Sequence, residues 1–236
     1  MSLTDAAATL ARLADTRVFS DPVTHVYNPA QYAAESLRAY IARYARTSCR
    51  TLLLGMNPGP FGMVQTGVPF GDVQFVREWL AIDAPVGKPR HEHPKRPVRG
   101  FECARREVSG QRLWGWARAM FDTPDRFFDR FFVWNYCPLC FLECSGRNRT
   151  PDKLPKAERE PLFDLCDDAL RSVVNTLTPT AIVGIGKFAE QRIAATFPGA
   201  PYTTGSIPHP SPANPQANRG WAGAVNARLT ELGLLP

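Results

Sequence analysis

No apolar run in the 236-residue sequence approaches the roughly 18 residues that a membrane-spanning helix requires. Residues 1–17 show no basic leader followed by an apolar block, so the expectation is a cytoplasmic protein without a membrane partner. Charged residues are only 21% of the chain and apolar ones 44%, a balance that excludes disorder, collagen-like repeats and coiled coils. Lysine is scarce, five against 23 arginines beside an Ala-rich N-terminal region, which suggests a GC-rich bacterial genome. The six cysteines (49, 103, 137, 140, 144 and 166) are too few for a disulfide framework in a chain of this length and read as reduced thiols. Acidic residues are locally absent: none of the 22 falls in 36–71, which carries Arg38, Arg43, Arg46 and Arg50, or in 191–230, which carries Arg192, Arg219 and Arg228. Close approach to a phosphodiester needs such acid-free surface, and the net charge of +6 leans the same way without naming a ligand.

What is present is an alternation of short apolar runs and helical patterns, with no repeat and no low-complexity tract. Helices are expected over 4–15, after Asn28-Pro29, over about 73–82 and 111–121, over 160–177, from Lys187, and at the C-terminus. Strands are expected at 51–54, 131–134, 181–184 and 203–207. That order predicts an α/β fold, a parallel sheet covered on both faces, in one domain over 1–236 with a helical extension at about 1–28. Ligands of such sheets sit beyond the carboxyl ends of the strands, where three polar loops begin here: 55–72, 135–158 and 208–221. The intervening segment 91–106 holds Lys95, Arg96, Arg99, Arg105 and Arg106 against Glu92 and Glu102, and reads either as a nucleic-acid contact or as a solvated loop.

The loops carry a specific likeness. Gly55-Met56-Asn57-Pro58-Gly59-Pro60-Phe61-Gly62-Met63, continuing to Phe70-Gly71, resembles the first motif of the single-strand-selective monofunctional uracil-DNA glycosylase family. His209-Pro210-Ser211-Pro212-Ala213-Asn214-Pro215-Gln216-Ala217-Asn218-Arg219-Gly220-Trp221 resembles that family's closing loop. His93-Pro94-Lys95-Arg96-Pro97, Glu107-Val108-Ser109-Gly110 and Trp134-Asn135-Tyr136-Cys137-Pro138-Leu139 fall between them in the family's order. The resemblance implies a three-layer α/β/α fold with a central, mainly parallel four-stranded sheet. It also implies an enzyme without a metal or cofactor that releases uracil, and 5-substituted uracils such as 5-hydroxymethyluracil, from single- and double-stranded DNA; nothing in the sequence requires more than a monomer.

Glycosidic cleavage develops positive charge on the sugar and negative charge on the base, so a site must orient water and stabilise an anion. By resemblance Asn57 holds the water and His209 donates to uracil O2. Met56, Gly59, Phe70 and Asn135 line the base: Asn135 reads its edge, Phe70 stacks on it, and Gly59 leaves space at C5. Pro210, Ser211, Pro212, Ala213, Asn214 and Pro215 form a stiff wedge for the gap left by a flipped nucleotide. Family members can carry a basic residue where this chain has Ala213, a departure that weakens the expectation of duplex penetration and leaves Arg219 as the candidate to compensate. Lys95, Arg96 and Lys187 complete the expected DNA contacts. On local chemistry alone, Asn57 reads as an Asn-Pro turn, His209 as a structural histidine, Asn135 as a strand-end cap and Phe70 as core.

Two signals compete. Gly184-Ile185-Gly186-Lys187-Phe188-Ala189 fits a dinucleotide fingerprint, but no acid occurs between Glu190 and Glu231 to read a ribose, so a tight strand-to-helix turn is the better reading. Cys137, Cys140 and Cys144, with Cys103 or Cys166, match no standard metal spacing, and His91-x-His93 is a weak metal signal. A glycosylase specialised for hypoxanthine, a catalytically silent DNA-binding module and a nucleotide-binding oxidoreductase remain as alternatives.

Overall fold

The computed structural model describes every residue except Met1 and Ser48. Helix α1 (Leu3–Ala14) starts on a capping box in which the Ser2 hydroxyl accepts from the Asp5 N–H and the Asp5 carboxylate accepts from the Ser2 N–H. Strand β1 (Val23–Tyr27), α2 (Pro29–Tyr32) and α3 (Ala34–Tyr44) follow, then β2 (Thr51–Gly55). The chain continues through α4 (Met63–Thr66), α5 (Val108–Phe121), α6 (Pro124–Phe128) and β3 (Phe131–Asn135). Strands β4 (Cys140–Glu143) and β5 (Asn148–Arg149) precede α7 (Lys156–Leu177), β6 (Ala181–Ile185), α8 (Lys187–Thr196), β7 (Thr203–Ile207) and α9 (Trp221–Glu231).

The expected sheet is present. Its order is β3-β2-β6-β7 and all three pairings are parallel. β2, β3 and β6 are buried along their whole length, which is why each reads as a continuous apolar run and not as an alternation. β7, at one edge, exposes Thr203 and Thr204. One apolar cluster runs from Leu3 to Leu235. Among the described residues no helix is long and apolar enough to cross a membrane.

Three expectations change. The 135–158 segment is not wholly loop: β4 pairs antiparallel with β1 and β5, with Tyr27 opposite Cys140 and Phe141 opposite Arg149. The N-terminal residues are likewise more than a helical extension, since α1 packs on α7 and β1 supplies a strand. A strand whose partner lies over a hundred residues away leaves no local turn signal to find. The helix expected at 73–82 begins at residue 73 but is short, with residues 73–74 helical and leading into a π-helical turn, Phe75–Trp79. The Leu80 carbonyl accepts from the Tyr44 hydroxyl at 2.7 Å, and Ala81 turns to φ +50°, which ends the helix.

Parallel register sets the loops. Gly55 lies opposite Asn135, and Ile185 opposite Ile207, so the chains leaving β2, β3, β6 and β7 emerge at one edge of the sheet.

Candidate active site

A cavity of about 330 Å³ opens at that edge. Its walls include Met56, Asn57, Gly59, Phe70, Asn135 and His209, the six residues assigned from sequence to catalysis and base recognition. The loops that follow β2 and β3 are joined just beyond the strands, where Tyr136 N–H donates to the Gly55 carbonyl (3.0 Å) and Cys137 N–H to the Met56 carbonyl (2.9 Å).

The Asn57 side-chain NH₂ donates to the Leu139 carbonyl at 3.1 Å. With a donor engaged there, the amide is held in one orientation and its Oδ1 is left as an acceptor. His209 is pushed down to about 4 by burial, so the ring is neutral at physiological pH. Its Nδ1 lies 3.1 Å from the Ser211 N–H and accepts from it, which leaves the hydrogen on Nε2. The site thus presents one oriented acceptor and one neutral N–H donor.

Asn135 is 6% exposed; its Nδ2 meets only the Met63 thioether (3.3 Å), and its Oδ1 has no partner. A buried acceptor left unpaired costs about 1–3 kcal/mol, an expense that a ligand donor would remove. Phe70 sits at φ +55°, a conformation rare for a bulky residue. Its carbonyl accepts from Trp114 Nε1 (3.1 Å) and the Asp72 N–H (2.8 Å), which hold it there. Two glycines make room. A Cβ at Gly55 would fall 2.4 Å from Asn135 Oδ1 and 2.5 Å from the Phe70 ring, and one at Gly110 would fall 2.1 Å from the Phe70 carbonyl.

Gly59 differs from expectation. The space beside it is not empty: a Cβ there would lie 2.8 Å from Glu107 Oε2, and one at Gly62 would lie 2.9 Å from Glu107 Cγ. The Glu107 carboxyl, raised above its ordinary range by burial, forms part of the cavity wall and accepts from the Ser109 N–H at the start of α5. Sequence reasoning had the Glu107-Val108-Ser109-Gly110 segment without a role for its members. The glycine pair at 59 and 62 was the available signal that something bulky packs there. Met63, Asn148 and Thr150, which also line the cavity, were missed; the last two arrive through the unforeseen β4–β5 hairpin.

The closing loop is tied down from several sides. Asn214 Nδ2 donates to the His209 carbonyl (2.9 Å), Asn218 Nδ2 to the Pro212 carbonyl (3.0 Å), and Trp221 Nε1 to the Pro208 carbonyl (2.7 Å). From α5, Arg112 reaches the Pro210 carbonyl (2.9 Å) and Asn218 Oδ1 (2.8 Å). Pro212, Ala213 and Pro215 are exposed, Ser211 lines the cavity, and Pro210 is buried beneath the loop. Lys187 and Arg219 line a separate depression with His209 and Asn214. Lys95 and Arg96 lie against Gly146 in the β4–β5 turn, where a Cβ would come within 3.2 Å of Lys95 Cβ and 3.5 Å of Arg96 Cζ.

The fingerprint glycines serve packing. A Cβ at Gly184 would meet the Glu190 amide nitrogen at 2.4 Å, and one at Gly186, which sits at φ +90°, would lie 3.1 Å from His209 Cβ. His93 is buried, with Nε2 3.1 Å from the Cys144 carbonyl, and Cys140 and Cys166 are buried thiols pushed up by desolvation. Among the described residues no three His, Cys, Asp or Glu side chains are grouped to hold a metal.

The model of the uracil DNA glycosylase superfamily matches residues 42–230. The single-strand selective monofunctional uracil DNA glycosylase of Mus musculus is 50% identical over 220 residues, covering 92% of this chain and 79% of that protein. The Rattus norvegicus enzyme of the same name is 51% identical over 220 residues with the same coverage. The crystal structure of wild-type Pedobacter heparinus SMUG2 superposes with a TM-score of 0.68 at 17% identity, over 99% of this chain and 97% of that one, a likeness of fold. The chain belongs to the uracil DNA glycosylase superfamily, in the family of the single-strand selective monofunctional enzymes.

Proposed function

We propose that this chain, as a single domain and a monomer, hydrolyses the N-glycosidic bond of uracil and 5-substituted uracils in single- and double-stranded DNA, leaving an abasic site that begins base excision repair. The observation that carries this reading is the pairing, across one cavity, of the oriented Asn57 acceptor with the neutral His209 N–H donor. Asn57 Oδ1 accepts from a water and turns its oxygen toward C1′. As the N1–C1′ bond breaks, its electron pair leaves with the base, and charge gathers on O2 where His209 Nε2–H donates. The water oxygen bonds to C1′ and its proton is released. An oriented donor of this kind is worth about 10²–10³ in rate.

Asn135 Oδ1 accepts from uracil N3–H while its NH₂ exchanges the thioether for O4. Cytosine has no N3–H to offer and is rejected. Phe70 stacks on the base. At C5, the Glu107 carboxyl beside Gly59 accepts a hydroxymethyl O–H, whereas a thymine methyl offers that oxygen no hydrogen bond and takes it further from water. Among the described residues no lysine lines the cavity, which agrees with hydrolysis without lyase cleavage. Ser211, Pro212, Ala213, Asn214 and Pro215 face the flipped-out gap, braced by Pro210, and Lys95, Arg96, Lys187 and Arg219 meet phosphates.

The test is an excision panel: uracil, 5-hydroxymethyluracil, thymine and hypoxanthine in single- and double-stranded oligonucleotides, scored by alkali-labile sites. Cleavage at uracil and 5-hydroxymethyluracil with thymine spared is expected. Preferred release of hypoxanthine, or no release at all, overturns the reading.

A further inference from the structure

Phe61 lies between two cavity-lining residues, Pro60 and Gly62. Its ring carries two guanidinium groups brought from distant positions: Arg105 Cζ is 4.0 Å from the ring centroid and Arg96 Cζ 5.4 Å. Placing two like charges on one small ring at a cavity mouth is costly unless an anion joins them. The nearby acids are committed elsewhere. Glu102 pairs with Arg77 (3.6 Å), Glu92 with Lys88 (3.2 Å), and the Glu107 carboxyl accepts from the Ser109 N–H. Arg106 is taken by buried Asp72 at 2.8 Å, but among the described residues neither Arg96 nor Arg105 has a carboxylate partner. Arg96 Nε is in addition buried without a hydrogen bond.

Resting on the glycosylase reading, we propose that Arg96, Phe61 and Arg105 form a phosphate shelf that grips the phosphodiester flanking the flipped nucleotide on the single strand. A strand whose base fills the cavity must carry its backbone past the rim, and the shelf is continuous with that rim through Pro60 and Gly62. A guanidinium held over an aromatic ring is pre-organised, and its free N–H groups form the planar fork that matches two phosphate oxygens. Phe61 is thus the platform that steadies the exposed Arg105, beside an Arg96 whose Nη1 donates to the Lys95 carbonyl (2.8 Å) and whose Nη2 is left for the ligand. The exposed Arg105 is the member that sequence gave no reason to single out from a solvated loop.

The experiment uses the full chain and a single-stranded uracil oligonucleotide in which one flanking phosphodiester at a time is a neutral methylphosphonate. With the unmodified protein, one linkage is expected to raise KM by about 5–10-fold when neutralised, and the salt slope of binding to fall by about 0.7, the contribution of one single-strand phosphate. Arg105→Ala is expected to raise KM on the normal strand and to respond less than the unmodified protein to the same methylphosphonate, the remaining response being that of Arg96. Arg105→Lys, which keeps charge without the fork, recovers only part, and Phe61→Leu weakens binding with both arginines present. An unaltered KM and salt slope in Arg105→Ala, or additive losses from variant and methylphosphonate, overturn the shelf. Absence of uracil release by the unmodified protein refutes the glycosylase reading instead.

Discussion

His209 enters the cavity as a neutral ring because its pocket withholds water, and its acid limit moves accordingly. The acid limb of kcat/KM is expected near about 4 and not near 6.5, measured by single-turnover excision across a pH series. The folded pKa lies below the unfolded value, so the unfolded chain takes up the proton first. This residue's share of stability is therefore present above pH 6.5 and lost as pH falls towards about 4, which urea melts at the two ends of that window measure. Asn57→Ala removes the acceptor that orients water. A loss of about 10²–10³ in excision rate with unchanged Tm and DNA affinity is expected, and full activity would remove Asn57 from the mechanism. Both residues were legible as motif positions. The pairing of Nδ1 with Ser211, which decides which nitrogen donates, was not, because it depends on how one loop folds back on itself.

Among the elements, α5 does the most to shape the site. Its N-cap residue, Glu107, stands in the cavity wall, Gly110 in the first turn receives the Phe70 carbonyl, and Arg112 spans two points of the closing loop. Arg112→Ala is expected to loosen that loop, lowering kcat by about tenfold through His209 and reducing double-strand excision more than single-strand excision, with Arg112→Lys recovering part. Equal losses on both substrates with kcat untouched would assign Arg112 to the scaffold alone. The α8 entry offers a second test. Gly186→Ala forces a side chain onto φ +90° and against His209, and should cost about 1–3 kcal/mol of stability together with activity. Elements with strong local periodicity, such as α7 and the three buried strands, were readable from the sequence. β1, β4 and β5 were not: β1 and β4 pair across more than a hundred residues, and the β4–β5 hairpin has only two residues in its second strand.

Across the whole molecule, the N-terminal residues belong to the fold. α1 buries Leu3, Ala7, Leu10 and Ala14 with α7 as its main neighbour, and β1 closes the second sheet on β4. Each buried leucine is worth about 1.5–3 kcal/mol against a usual total near 5–15, so a chain starting at residue 29 should lose cooperative thermal unfolding. Retention of the full Tm would make it a dispensable extension. The sequence by itself determined the buried parallel strands, through apolar runs that two-sided burial demands, and named the residues that meet in the cavity, through motifs at the strand ends. Only the tertiary structure decided that Glu107 fills the space beside Gly59, that Asn135 keeps an unpaired oxygen, and that Arg96 and Arg105 share the Phe61 ring. The physical reason is that local spacing fixes which way a side chain leaves its own element, whereas its neighbours and its loss of water are set by segments that only the packed sheet brings together.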